Sequence, residues 1–230
     1  MRLTKIRAAM AITATVLAAT AVSAQPKSSS ILNSIEITEL VKRAEPADHA
    51  RLGAHFEGLA GRYAAEAQRH VAMARSFTGN PIRNNYGTGM SAHCKQLATL
   101  NTSSATTLRE LAAYHQKLAG GVKVSPPAGA AKFEGGAGAP SPTDAELNAL
   151  AARANTPAEH RAIEEYFVTL AKRHTASATD HGRHAQTYRG TRNAQAALHH
   201  DRLADLERQA AKEATAAAEM HKGLAGVGGK

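Results

Sequence analysis

The chain matches itself. Pro46-Ala47-Asp48-His49 returns as Pro157-Ala158-Glu159-His160 at an offset of 111 residues, and the match continues without gaps through Phe56 with Phe167, Leu59 with Leu170, Arg62 with Arg173, His70 with His181 and Phe77 with Tyr188. After a loop five residues longer in the first copy the offset becomes 106. His93-Cys94 then aligns with His199-His200, His115 with His221, and Leu118-Ala119-Gly120 with Leu224-Ala225-Gly226. The copies span residues 34–120 and 142–226. Such a repeat restricts the fold to two similar substructures, neither of which covers its own apolar face alone.

Each copy reads as helical. Residues 47–80, 82–125 and 158–230 contain no proline, so long helices are permitted there. His49, Leu52, Phe56, Leu59, Tyr63, Glu66, His70, Met73 and Phe77 recur at steps of three and four, an a/d seam held for four heptads. Thr156, Pro157 and Glu159 supply an N-cap, a first-turn proline and a capping box, whereas the first copy carries the weaker Glu45 at the cap position. A second helix from Gly89 to Ala119 carries Leu97, Leu100, Leu108, Leu111 and Leu118 and ends at Gly120-Gly121. Short amphipathic segments precede each hairpin, one with Ile35, Ile37, Leu40 and Val41, the other "DAELNALAARA". Aromatic residues make up only 4% and Trp is absent, so the core is aliphatic and Ala-sized, which suits close-packed helices better than sheets.

These signals predict an all-α fold: a tandem repeat of two long antiparallel helical hairpins forming a four-helix bundle, each preceded by a short helix laid at the bundle's end. The hairpins are expected over 46–78 and 88–119, and over 157–189 and 193–224. Residues 121–141 are rich in Gly, Pro, Ala and Ser and read as a flexible linker.

Residues 1–24 read as a secretory signal, with Arg2, Lys5 and Arg7 before an uncharged run that ends in Val22-Ser23-Ala24. Its removal takes three cations and lowers the net charge from +9 to about +6. The remaining basic residues alternate with Glu and Asp, which argues against a nucleic-acid partner. No second apolar stretch is long enough to span a bilayer, so the expectation is a periplasmic or secreted chain with no membrane span after processing. Cys94 is the sole cysteine, hence a free thiol, a metal ligand or an intermolecular bridge.

The histidines carry the functional signal. In an antiparallel hairpin two residues share a level when their numbers have a constant sum. That sum is 163 for His70 with His93 and 164 for His49 with His115; it is 380 for His181 with His199 and 381 for His160 with His221. The two levels of each hairpin stand roughly 30 Å apart at a rise of about 1.5 Å per residue. The level near the loop holds Glu66, His70, His93 and Cys94 in the first copy and His181, His184, His199 and His200 in the second, donors suited to Zn, Cu or Ni ions. The distal level holds His49, His115, His160 and His221, a candidate cofactor-binding set that includes bis-His ligation of haem b. Against both stands a structural reading, in which such histidines fix register through hydrogen bonds, as a buried Asn does in coiled coils. His55 and His174 align with Tyr166 and Tyr63 and read as helix-surface or boundary residues; Met73, Met90 and Met220 read as core fillers. No nucleotide-binding, hydrolase or metalloprotease motif is present, so the chain reads as a non-enzyme.

The "TPAEH" opening, the "SAHC" start of the second helix and the His near its end resemble an Ala-rich group of exported bacterial helical-hairpin repeat proteins. The resemblance covers both repeats, with His200 departing where Cys94 would stand, and it implies fold and export but no activity. In shape the architecture is also similar to periplasmic helical-hairpin metal sensors and chaperones and to four-helix haem bundles. The leading expectation is an exported bundle that binds transition-metal ions for buffering or sensing. The alternatives are a haem bundle and a structural or stress-related envelope protein without cofactor. The hairpins are free, on sequence grounds, to pack within one chain or to form a homo-oligomer.

Overall fold

The computed structural model describes residues 31–80, 86–124 and 143–227. The leader at 1–24 and nearly all of the linker lie outside the described residues. Six helices follow in order: α1 Ser34–Arg43, α2 Pro46–Gly79, α3 Tyr86–Leu118, α4 Asp144–Arg153, α5 Pro157–Arg189 and α6 Gln195–Val227. No strand occurs among the described residues.

The ends of these helices follow local chemistry. Asn33 caps α1 by accepting from the backbone of Ile35 and Glu36, and Thr156 caps α5 in a reciprocal box with Glu159. Glu45 makes no side-chain cap bond at the start of α2; instead Asp48 accepts from the Glu45 N–H and holds Arg43. Gly120 and Gly121 take φ values of 59° and 95° just beyond α3, where a side chain would be strained. Along the α2 seam eight of the nine predicted positions are buried and Leu59 is half-buried. Leu118 departs from expectation and is 37% exposed, at the last turn of α3.

α2 and α3 form one antiparallel hairpin, α5 and α6 the other. The hairpins join through α3 and α6, which also run antiparallel: His93 meets Glu213, Ser104 meets Glu207, and Glu110 meets His199 and Arg202. Small residues allow this approach. Ala210, Ala214, Ala217 and Ala218 of α6 share one buried cluster with Leu97 and Leu100 of α3, and close packing of such side chains supplies dispersion as well as burial.

On the other side α2 and α5 make no close backbone approach. Their gap is bridged by long polar side chains, such as Tyr166 and Arg173 of α5 reaching Glu66 of α2. Both short helices pack on α2 and α5. They lie against this open side, with Ile37, Leu40 and Val41 of α1 and Leu147 and Ala151 of α4 buried there. The expectation that they sit at the ends of the bundle is corrected in this respect. Asn80 fastens α4 by donating to the carbonyls of Ala151 and Ala154.

Ala44, between α1 and α2, has φ 54° and is the one described non-glycine residue in the left-handed region. Its Cβ is strained there by about 1–2 kcal/mol. Ala44→Gly is therefore expected to raise stability by about 0.5–1 kcal/mol after the added unfolded-chain entropy. Thermal denaturation should show a Tm higher by roughly 1–4 °C.

Candidate metal centre

Position and periodicity bring three imidazoles together near the α5–α6 turn. His181 and His184 stand three residues apart on one face of α5, and His200 lies on α6 opposite them. One nitrogen from each lies within 4.8 Å of the others. His181 Nδ1 and His200 Nδ1 are 3.1 Å apart, and the His184 and His200 ring centroids are 5.3 Å apart. All three rings are buried, His200 completely. Tyr188 stacks on His200 at 5.2 Å, and Phe56 from the other hairpin meets the same ring edge-on at 5.5 Å.

The nitrogens are not all satisfied. Both ring nitrogens of His184, and His200 Nε2, are buried without a hydrogen-bond partner, a state that costs about 1–3 kcal/mol per group. Burial pushes His184 down to about 4, with the nearby His181 adding to the effect. His200 is driven well below its ordinary value by burial and by its imidazole neighbours, and burial lowers His181 as well. At neutral pH the cluster is uncharged, so its lone pairs face no competition from protons. That is the protonation state a metal ion requires.

Five of the expected ligands do not assemble in this way. His199 does not join the cluster; it is half-buried, with Nδ1 3.7 Å from Glu110 Oε2 on α3. In the first hairpin His93 turns to α6, its Nδ1 2.8 Å from Glu213 Oε2. His70 Nε2 lies 3.4 Å from Glu66 Oε1. Burial alone would raise the Glu66 carboxyl, but the His70 contact and the charges of Arg173 and Arg69 hold it well below the usual carboxylate range. Glu66 is thus an ion-pair centre joining the hairpins. Among the described residues, no triad of imidazole, thiol or carboxylate donors forms from His70, His93, Cys94 and Glu66. Cys94 is fully buried, and burial pushes its thiol up to about 12.

The distal pairs meet as the register predicts. His49 Nδ1 and His115 Nδ1 are 3.0 Å apart, and His160 Nδ1 and His221 Nδ1 are 3.1 Å apart. These are hydrogen-bond distances; nitrogens on opposite sides of a metal ion at bonds of about 2 Å stand about 4 Å apart. Phe56 stacks on His115 and Phe167 on His221, with ring centroids 5.6 and 6.3 Å apart. His115 Nε2 is bonded at 2.8 Å to the hydroxyl of Tyr188, which ties the first hairpin to the second. Each distal pair therefore joins the two helices of its hairpin at one level.

Three further residues escaped the sequence reading. His55 and His174 are buried, not at the surface. The Leu32 N–H donates to His55 Nδ1 at 3.1 Å, and His174 Nδ1 lies 2.7 Å from Glu207 Oε2, deep between α5 and α6. Their alignment with Tyr166 and Tyr63 was the available signal, because a position that alternates Tyr and His suits a buried ring with one polar contact. Tyr188 gave no more signal than its match to Phe77.

No family model, no curated protein and no solved structure matches the chain.

Burial pushes His55, His115 and His221 each down to about 3. Since these folded values lie below the unfolded value of about 6.5, the unfolded chain takes up more protons, and stability is complete above that pH and lost as pH falls toward the folded values. Each such imidazole contributes a slope approaching about 1.4 kcal/mol per pH unit in that window. Urea denaturation at pH 7, 6 and 5 should show a steep fall in stability below neutrality; a flat profile would contradict the buried, neutral assignment.

Proposed function

We propose that this chain is an exported helical bundle that binds a transition-metal ion through His181, His184 and His200, for buffering or sensing. One observation carries the reading: three buried, uncharged imidazoles converge while several of their nitrogens have no partner. A histidine kept only for register would be expected to be hydrogen-bonded, as His49 and His115 are. The orphaned nitrogens of His184 instead suit an absent electrophile. Imidazole sets of this kind favour Zn(II), Cu(II) or Ni(II), and three protein ligands leave a further coordination position open. Glu207 and Asp180 both raise the proton affinity of His181, and carboxylates beside a ligand ring commonly orient it. No helix among the described residues is long and apolar enough to cross a membrane, in keeping with a chain that has no membrane span. The haem alternative draws no support from the distal pairs, whose nitrogens already touch.

Replacing His184 by Leu separates the metal reading from the structural one. Removing two unpartnered nitrogens from the interior is expected to stabilise the metal-free protein by about 1–2 kcal/mol and to abolish heat on titration with Zn(II), Cu(II) and Ni(II). Wild-type protein should gain about 2.7 kcal/mol with free metal at a hundred times Kd, or roughly 5–10 °C in Tm. A Leu variant that binds as before, or that is less stable without metal, would favour a structural role.

A further inference from the structure

The first hairpin holds a soft counterpart of the three-histidine cluster. At the offset of 111, His181 and His184 correspond to His70 and Met73; at the offset of 106, His200 corresponds to Cys94 and Ala196 to Met90. Two of the three nitrogen donors become sulphur donors, His70 keeps its imidazole, and a third sulphur stands where the second copy has Ala196. The register also matches, since the numbers sum to 164 for His70 with Cys94 and to 163 for Met73 with Met90. Two donors are thus three apart on α2, and the two facing them are four apart on α3, so each pair projects from one helix face.

Burial supports the grouping. His70, Met73 and Cys94 are each 0% exposed and Met90 is 1% exposed. Met73, Met90 and Cys94 belong to one core cluster. The decisive atom is His70 Nδ1. In the second hairpin the corresponding atom, His181 Nδ1, is bonded to His200 at 3.1 Å. In the first, the shorter Cys94 stands at the position that corresponds to His200, and His70 Nδ1 is buried without a hydrogen-bond partner. An unpartnered, buried nitrogen thus shares its level of the hairpin with a thiol and two thioethers.

We propose that His70, Met73, Met90 and Cys94 form a second, sulphur-rich site that takes copper(I). Thiolate and thioether donors select this soft ion over Zn(II) or Ni(II), whereas imidazoles alone suit the harder divalent ions. On binding, the Cys94 S–H bond breaks, a sulphur–copper bond forms, and the proton leaves to solvent with no change in copper oxidation state. Phe56, which touches His200, is fourteen residues from His70 along α2, so the two sites lie roughly 20 Å apart. They therefore fill independently, one at each end of the bundle.

The test uses the full chain with His184→Leu and His200→Leu, which silence the three-histidine cluster, so that its failure and that of the first site remain distinguishable. Copper(I) is supplied without oxygen as a complex with a chromogenic chelator. The protein is expected to withdraw a single copper(I) ion, and X-ray absorption should show a shell dominated by sulphur. Adding Cys94→Ser should weaken uptake by more than about tenfold, the loss expected even for a residue that only supports a ligand. If the Ser variant loses its helical circular dichroism, the pair Met73→Leu and Met90→Leu decides, because these volume-conserving changes leave the core filled. No copper(I) uptake, a shell of nitrogen and oxygen only, or unchanged affinity in either folded variant overturns the proposal.

Discussion

The cost of placing imidazoles in an Ala-rich interior governs this molecule. Nine of its twelve histidines are buried, and a buried polar ring is tolerated only where its nitrogens find partners. Most find them in pairs. His49 bonds His115, His160 bonds His221, and His174 bonds Glu207. Because these contacts cross between helices at defined levels, they set the register of both hairpins, and Tyr188 on His115 carries that register from one hairpin to the other. Against this background His184 and His70 stand out, because both of their ring nitrogens are buried without a hydrogen-bond partner, whereas His174, His200 and His221 each leave only Nε2 unpartnered.

Packing of the two hairpins is asymmetric, and the asymmetry positions the sites. Alanines bring α6 close to α3, whereas α2 and α5 are held apart and their gap is filled by Tyr166, Arg173 and Glu66 and flanked by α1 and α4. The antiparallel arrangement places the turn of each hairpin beside the open end of the other. Phe77 consequently lies against His221, and Tyr188 against His115. The three-histidine cluster is thereby closed by Phe56 from the opposite hairpin, which removes it from bulk solvent.

Much of this was legible in the sequence. Proline-free runs, the Thr156 cap and Gly120-Gly121 placed the long helices within a few residues, and the constant-sum rule found both distal pairs. The same rule failed at His199 and His93 for a geometric reason. It fixes height along a hairpin but not direction around a helix, and consecutive residues point about 100° apart. His200 rather than His199 therefore faces His181, and His93 stands at the predicted level but turns to Glu213 on α6. The location of the short helices was hidden for a related reason. It depends on which faces of the two hairpins meet, and heptad patterns within a hairpin do not encode that choice.

Anomalous diffraction from crystals grown with one equivalent of Zn(II), recorded on both sides of the zinc absorption edge, tests the central claim most directly. The account predicts a peak between α5 and α6 bonded to nitrogens of His181, His184 and His200 at about 2.0–2.1 Å. No peak at that position, with the three rings retaining their metal-free contacts, would contradict it.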